Sequence, residues 1–134
     1  MAGTPSRVSC VAIENHQVLI RSGAHAWLAD EPPSLGGDGL APNPFDLLLG
    51  ALGACMVITV GHYAGQAKIP VEGLWAELSG EPGEGGKYRI GVRLRARGAL
   101  SDQDMDRLRR ASERCPVHHL LSGGAEIVTE VRRA

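Results

Sequence analysis

Hydrophobic and polar residues alternate in short segments over the first thirty positions, a pattern typical of half-buried β-strands. It predicts strands over 7–13, 18–21 and 24–29. The polar residues of 14–17 supply turn chemistry between the first two strands, and a Ser-Gly pair turns the chain again. We therefore expect a three-stranded antiparallel meander. The loop that follows, 30–42, is rich in Pro and Gly and long enough to be functional.

The pattern then changes to a long apolar helix. Asn43 is a favoured N-cap, Pro44 suits the first helical position, and Asp46 lies near the positive end of the helix dipole. The helix is predicted to run to about residue 68, before an Ile-Pro pair. Its uncharged stretch, 47–61, is shorter than the roughly 20 residues that span a bilayer, which predicts a buried helix of a soluble protein.

Small side chains recur along one face of this helix and would let another backbone approach closely, for instance a helix of a partner subunit. They are Gly50, Gly53, Ala54, Val57 and Gly61. A neighbouring face carries Cys55 together with Leu48, Ala51, Ile58, Thr59 and His62.

The second half of the chain predicts a hairpin, two helices and a strand. The hairpin strands cover 74–79 and 87–97. A helix opens at Ser101 with a capping-box pattern, and Pro116 begins a short second helix. A last strand is predicted over 126–131. The order of elements predicts a single α+β domain over 1–134, with an antiparallel sheet packed on the long central helix.

Composition and charge exclude several classes of function. The net charge is −1 and only 4% of the residues are aromatic, which argues against a nucleic-acid surface or an anionic membrane as partner. The arginines on one face of the second hairpin strand then belong to a solvated sheet face. Nothing at the N-terminus has the apolar core of a signal peptide, and three cysteines do not suit a secreted disulfide framework, so we expect a cytoplasmic protein.

The cysteines carry the candidate chemistry. Cys115 precedes Pro116 and is therefore expected to be an N-cap, where free N–H groups favour a thiolate; His118 lies one turn further on. Cys55 lies inside the long helix and needs a cation or hydrogen-bond donors from elsewhere in the fold to act as a nucleophile. For both, a core cysteine is the alternative, and Cys10, in a strand, is interpreted as structural.

A metal site is not favoured. A closed zinc site requires four ligands, and the Cys115-x-x-His118 pair has no second clustered pair. The remaining histidines considered as ligands, His25, His62 and His119, are scattered along the chain.

Two segments in the same order resemble the OsmC/Ohr family. Residues 42–55 resemble the central helix of that family, with its cysteine, and 114–118 resemble its second cysteine motif. Residues 126–130 are similar to its closing strand, and 25–32 to the stretch before the helix in the OsmC-like branch.

The resemblance implies an intertwined homodimer with two active sites at the subunit interface, and thiol-dependent reduction of hydroperoxides, organic ones especially. Cys55 would be the peroxidatic cysteine and Cys115 the resolving one, and an external dithiol would reduce their disulfide. Sulfur carries this chemistry, so no flavin, haem or metal cofactor is required. In the hydroperoxide-resistance branch an arginine from the N-terminal strands activates the first cysteine, and Arg21 is the candidate here.

One departure from that branch points to the broader OsmC-like branch. Phe45 occupies the place of a glutamate that helps to hold the arginine. Asp46 follows one position later, rotated by about 100° on the helix. Glu31 or Asp30 of the preceding loop is the other candidate carboxylate, and His118 completes the supporting residues.

Two other functions remain open at this stage. One is a non-enzymatic protein that binds a small apolar ligand in a pocket of the dimer interface, with both thiols idle. The other is a redox sensor, whose disulfide alters a partner contact and which oxidises stoichiometrically without fast turnover.

Overall fold

A computed structural model describes residues 5–134 of the chain. Its elements are five strands and three α-helices, with short 3₁₀ turns at Pro33–Leu35 and Glu84–Gly86. The strands are β1 Ser9–Ala12, β2 Val18–Ser22, β3 His25–Ala29, β4 Val71–Pro82 and β5 Tyr88–Gly98. The helices are α1 Pro44–Gln66, α2 Asp102–Ser112 and α3 Pro116–Gly123. This mixed arrangement of antiparallel strands and helices confirms the predicted α+β class.

The chain forms two compact units, and α1, β4 and β5 contribute residues to both. The first unit holds the chain up to Gly53 together with Glu77–Arg93. The second holds Ala54–Ala76 and Leu94–Ala134.

The first unit contains the predicted meander. β1 pairs antiparallel with β2 and β2 with β3, so that Cys10 lies opposite Ile20 and Arg21 opposite Ala26. Asn43 caps α1 as expected, because its Oδ1 accepts a hydrogen bond from the Asp46 N–H at 2.8 Å. The helix and its start therefore follow directly from local sequence.

The loop before α1 is held by the buried carboxylate of Asp30. Its oxygens accept hydrogen bonds from the N–H groups of Glu31 at 2.7 Å and Leu40 at 3.1 Å. Burial alone would raise the pKa of Asp30. The backbone donors of Leu40, Glu31 and Asp38, with the charge of His16, outweigh burial and hold it below its ordinary 3.8. Asp30 is thus a structural anchor of this loop.

The second unit has a core where α1 meets α2. Val60 and Ala64 of α1 pack with Leu108 and Ala111 of α2, and with Ile69 beyond the end of α1. Ser101 caps α2 in a full capping box with Asp104, as the sequence predicts. This packing places the end of α2, and the Cys115 that follows it, beside the C-terminal half of α1.

Two expectations about the chain are corrected. The prediction of a last strand over 126–131 is wrong for the described chain. This segment has no regular structure there, and Val131 is 92% exposed. A strand requires a neighbour for its backbone groups, and no segment within residues 5–134 supplies one. The hairpin strand β4 also begins earlier, at Val71, than predicted.

The long helix α1 is less buried than expected. By length and composition alone it could cross a membrane, with a mean hydropathy of 1.8. The core helices of soluble proteins can be equally long and apolar. Within the single chain, only 22% of an apolar 18-residue stretch of this helix is buried. The small-residue face contacts strand β4 rather than a helix of the same chain, since Gly53 faces Leu78 and Gly61 faces Leu74.

Candidate active site

Cys55 lies in the middle of α1, in the second unit, and its side chain is half-buried. Thr59 and Tyr63 follow at intervals of four residues, so the three side chains share one face of the helix. This face therefore presents a thiol followed by two hydroxyl groups.

Cys115 is the N-cap of α3 and is fully buried. Pro116 occupies the first helical position, where its missing N–H costs no hydrogen bond. The Cys115 sulfur accepts a hydrogen bond from the His118 N–H at 3.5 Å. The N-cap position that the sequence predicts is thus confirmed.

The side chains of Cys55 and Cys115 interact directly, although 60 positions separate them in the sequence. Burial, followed by the hydrogen bond to Cys55, raises the pKa of Cys115 above its ordinary 9.0, against the lowering effect of the His118 and Val117 N–H groups. The expected thiolate at Cys115 is therefore wrong, because desolvation and a neighbouring sulfur outweigh the helix N-terminus. Both cysteines are free thiols in the structure.

Two arginines surround Tyr63 in the same unit. The guanidinium carbons of Arg107 and Arg114 lie 5.8 Å and 5.5 Å from the centre of the tyrosine ring. Arg107 also donates a hydrogen bond to the Tyr63 hydroxyl at 3.1 Å. The unit that holds both thiols therefore also holds positive charge, two turns along α1 from Cys55.

Two buried polar atoms near the thiols have no hydrogen-bond partner: Thr59 Oγ1 and His118 Nδ1. Thr59 is one turn from Cys55, and His118 is one turn from Cys115. The sequence placed Thr59 on the face of Cys55 and named His118 as a supporting residue, but it did not single out Thr59, Tyr63, Arg107 or Arg114 for the site. The repeat of polar residues at 55, 59 and 63 is the signal that indicates this face.

The other predicted supporting residues belong to the first unit. Arg21 is an exposed residue of β2, Glu31 lies in the loop that Asp30 anchors, and Asp46 is in the first turn of α1. Phe45, at the position of the family glutamate, stacks on Tyr88 with ring centres 5.2 Å apart. The roles of these three polar residues toward Cys55 remain predictions.

No group of three or more His, Cys, Asp or Glu side chains in residues 5–134 is arranged to hold a metal ion. Cys10 is exposed on β1. The second unit therefore holds two interacting thiols, together with hydroxyl, imidazole and guanidinium groups.

The fold and this site define a small α+β protein in which a half-buried thiol interacts with a fully buried one. A family model described as OsmC-like protein matches residues 36–130. The chain belongs to this family, as the sequence predicts.

Solved structures support the assignment of the fold. An OsmC-like protein from Mycoplasma pneumoniae is 20% identical with a TM-score of 0.79, covering 90% of this chain and 89% of its own. An organic hydroperoxide resistance protein OsmC from Legionella pneumophila is 25% identical with a TM-score of 0.66, covering 92% and 93%. An organic hydroperoxide resistance protein from Elizabethkingia anophelis is 22% identical with a TM-score of 0.65, covering 90% and 91%. No curated protein matches the chain.

Proposed function

We propose that this protein reduces hydroperoxides, organic ones in particular, through Cys55 and Cys115, and that it acts in defence against oxidative stress. The observation that carries the proposal is the direct interaction between these two thiols, one half-buried and one fully buried. The names of the Legionella and Elizabethkingia relatives support hydroperoxides as the substrate class.

In the proposed cycle Cys55 reacts first. Its thiolate attacks the terminal oxygen of the hydroperoxide; the O–O bond breaks, and the leaving alkoxide takes a proton to become an alcohol. Cys55 is then a sulfenic acid. The Cys115 sulfur attacks it, its proton leaves with the hydroxyl group as water, and a disulfide forms. An external dithiol reduces the disulfide and becomes oxidised itself.

The structure supports this order of roles. Cys115 is fully buried and its raised pKa keeps it protonated, which suits a thiol that waits for its partner to be oxidised. Cys55 is the more exposed of the two thiols, which suits the one that meets the hydroperoxide first. Arg21 remains the proposed activating cation, with Glu31 or Asp46 as its carboxylate partner.

We also propose that two copies of the chain form a cytoplasmic homodimer. The exposed apolar residues of α1, with Ile58 at 65% exposure, and the unpaired segment over 126–131 would both gain partners from a second copy. Burial of these surfaces is the physical reason for association.

The experiment that tests the function follows peroxide consumption with an organic hydroperoxide and a dithiol reductant. Cys55→Ser abolishes turnover. Cys115→Ser still forms a sulfenic acid, which a small thiol or dimedone traps and mass spectrometry detects. Cys10→Ser is the matched control and retains activity. Full turnover by the Cys55→Ser protein refutes the assignment.

An apolar groove in the first unit favours a second candidate function, the binding of a small apolar ligand. The groove has a volume of about 460 Å³. Its lining includes Leu19, Trp27, Leu28, Leu40, Pro42 and Leu47. A lipid or acyl chain retained in native mass spectrometry, together with thiols that resist peroxide, would favour this function over the first.

A further inference from the structure

Thr59 Oγ1 and His118 Nδ1 are the two buried side-chain N or O atoms without a hydrogen-bond partner in the part of the chain that the structure describes. Buried polar atoms are nearly always paired, so each exception calls for an explanation. Both of these exceptions lie in the second unit, and each is one helical turn from one of the two interacting thiols. Their common location points to a shared role.

Thr59 is placed to act beside Cys55. Residues four apart on a helix are neighbours, and helical side chains lean toward the N-terminus, so the Thr59 side chain leans over the turn that carries Cys55. A threonine hydroxyl in a helix commonly bonds to the carbonyl one turn earlier. Thr59 Oγ1 makes no such bond and can both donate and accept.

His118 has the matching position beside Cys115. It is the third residue of α3, and its N–H donates to the sulfur of the N-cap residue. Its buried Nδ1 is the ring nitrogen nearer the backbone, and it lies in the first turn of the helix that Cys115 caps.

We propose that Thr59 Oγ1 and His118 Nδ1 bind the two oxygens of the hydroperoxide, Thr59 the leaving oxygen and His118 the oxygen that is transferred to Cys55. This inference rests on the proposed function and names the groups that recognise its substrate. The Thr59 hydroxyl donates to the peroxide as the O–O bond breaks and negative charge develops on the leaving oxygen. His118 Nδ1 accepts a hydrogen bond from the hydroxyl of the Cys55 sulfenic acid and holds it for attack by Cys115.

The chemistry of the two atoms selects an oxygen-bearing ligand. A hydroxyl and an imidazole nitrogen pair with O–H and O–O groups, whereas an apolar ligand leaves both unsatisfied. A metal ion is not favoured, since no cluster of three ligands occurs among the described side chains.

The test measures the oxidation of Cys55 in a Cys10→Ser/Cys115→Ser background by stopped flow with cumene hydroperoxide. Thr59→Val keeps the shape of the side chain and removes the hydroxyl. It slows sulfenic acid formation by about tenfold or more, as loss of a donor to developing charge does. Alkylation of Cys55 by iodoacetamide, which transfers no oxygen, keeps its rate. Thr59→Ser keeps the hydroxyl and recovers most of the oxidation rate lost in Thr59→Val, and Thr59→Ala repeats the loss if the valine variant is poorly folded.

The second arm uses the protein with Cys115 restored. His118→Leu slows disulfide formation and increases overoxidation of Cys55 to the sulfinic acid, both read by mass spectrometry. His118→Asn restores an acceptor near the Nδ1 position and recovers part of the rate. His25→Leu, a change at an exposed histidine of the first unit, has no effect.

The outcomes separate this inference from the proposed function. If the parental protein oxidises Cys55 rapidly but Thr59→Val and His118→Leu match it, the oxygen-binding site is overturned and the peroxidase is retained. If both variants lose alkylation and oxidation equally, their roles are structural and the inference is likewise overturned. If the parental Cys55 does not react with the peroxide at all, the proposed function fails and this inference fails with it.

Discussion

The side chains of Cys55 and Cys115 form a weak thiol–thiol hydrogen bond, and this bond, after burial itself, raises the pKa of Cys115. The contact joins the middle of α1 to the N-terminus of α3. It makes the buried thiol of α3 a protonated partner of the more exposed thiol of α1, and it gives several expectations that can be measured.

Cys55→Ala lowers the pKa of Cys115. The variant removes the hydrogen bond and the electrostatic effect of Cys55, both of which raise this pKa. The N–H groups of Val117 and His118, which lower it, remain. The pH dependence of iodoacetamide alkylation, measured in a Cys10→Ser background with and without Cys55, gives the two pKa values. Equal values in the two proteins would contradict the contact.

The raised pKa of Cys115 also predicts a loss of stability at alkaline pH. The folded protein holds this proton more tightly than the unfolded chain, so the contribution is complete below the ordinary value of 9.0 and is lost as the pH rises through the higher folded value. Urea denaturation of the reduced protein between pH 8 and about 10.5 measures the loss. In Cys115→Ala this contribution is absent, so the free energy of unfolding falls less steeply between pH 8 and about 10.5. The same slope in the variant and the wild type would contradict the raised pKa of Cys115.

Leu108→Ala destabilises the second unit by about 2–5 kcal/mol, because Leu108 is 2% exposed and packs in the core with Val60. The loss loosens the packing that places Cys115 beside α1. Leu120→Ala is the matched control, since Leu120 is 51% exposed and its truncation changes stability by about 0.5 kcal/mol or less. Urea denaturation compares the two, and similar midpoints would contradict the assigned core.

Asp30→Asn lowers the midpoint of urea denaturation at pH 7. The side-chain amide of the variant has one oxygen, which can accept from the N–H of Glu31 or of Leu40. Its NH2 group cannot accept the other hydrogen bond. The depressed pKa of Asp30 means that its contribution is present above the ordinary value of 3.8 and is lost as the pH falls through the lower folded value. The variant therefore shows a smaller loss of stability in acid. Asp38→Asn, at an exposed position, serves as the control and stays close to wild type.

Ile58→Lys converts the proposed dimer to monomers, because it places a charge on the exposed apolar face of α1, where Ile58 is 65% exposed. Sedimentation velocity measures the change in mass. Leu35→Lys alters an equally exposed apolar residue, 64% exposed, in the 3₁₀ turn before α1 and leaves the dimer intact. A monomeric wild-type protein would remove the basis of the proposal.

The sequence alone determined the local elements and their ends. Asn43 and Pro44 start α1, Ser101 and Asp104 cap α2, and Pro116 starts α3, because caps and first turns depend on residues within a few positions of each other. Two cysteine motifs in order were enough to identify the family that the matched model confirms.

Only the tertiary structure decided the state of the thiols. The core of Val60 and Leu108 brings α2 against α1 and thereby joins Cys55 to Cys115, a contact between distant positions that no local pattern encodes. Desolvation in that packing disfavours the thiolate expected at Cys115. Burial and the neighbouring sulfur raise its pKa more than the N–H groups at the helix N-terminus lower it. The segment over 126–131 has the pattern of a strand but no neighbour in the described part of its own chain, because strand pairing requires a partner segment as well as a suitable sequence.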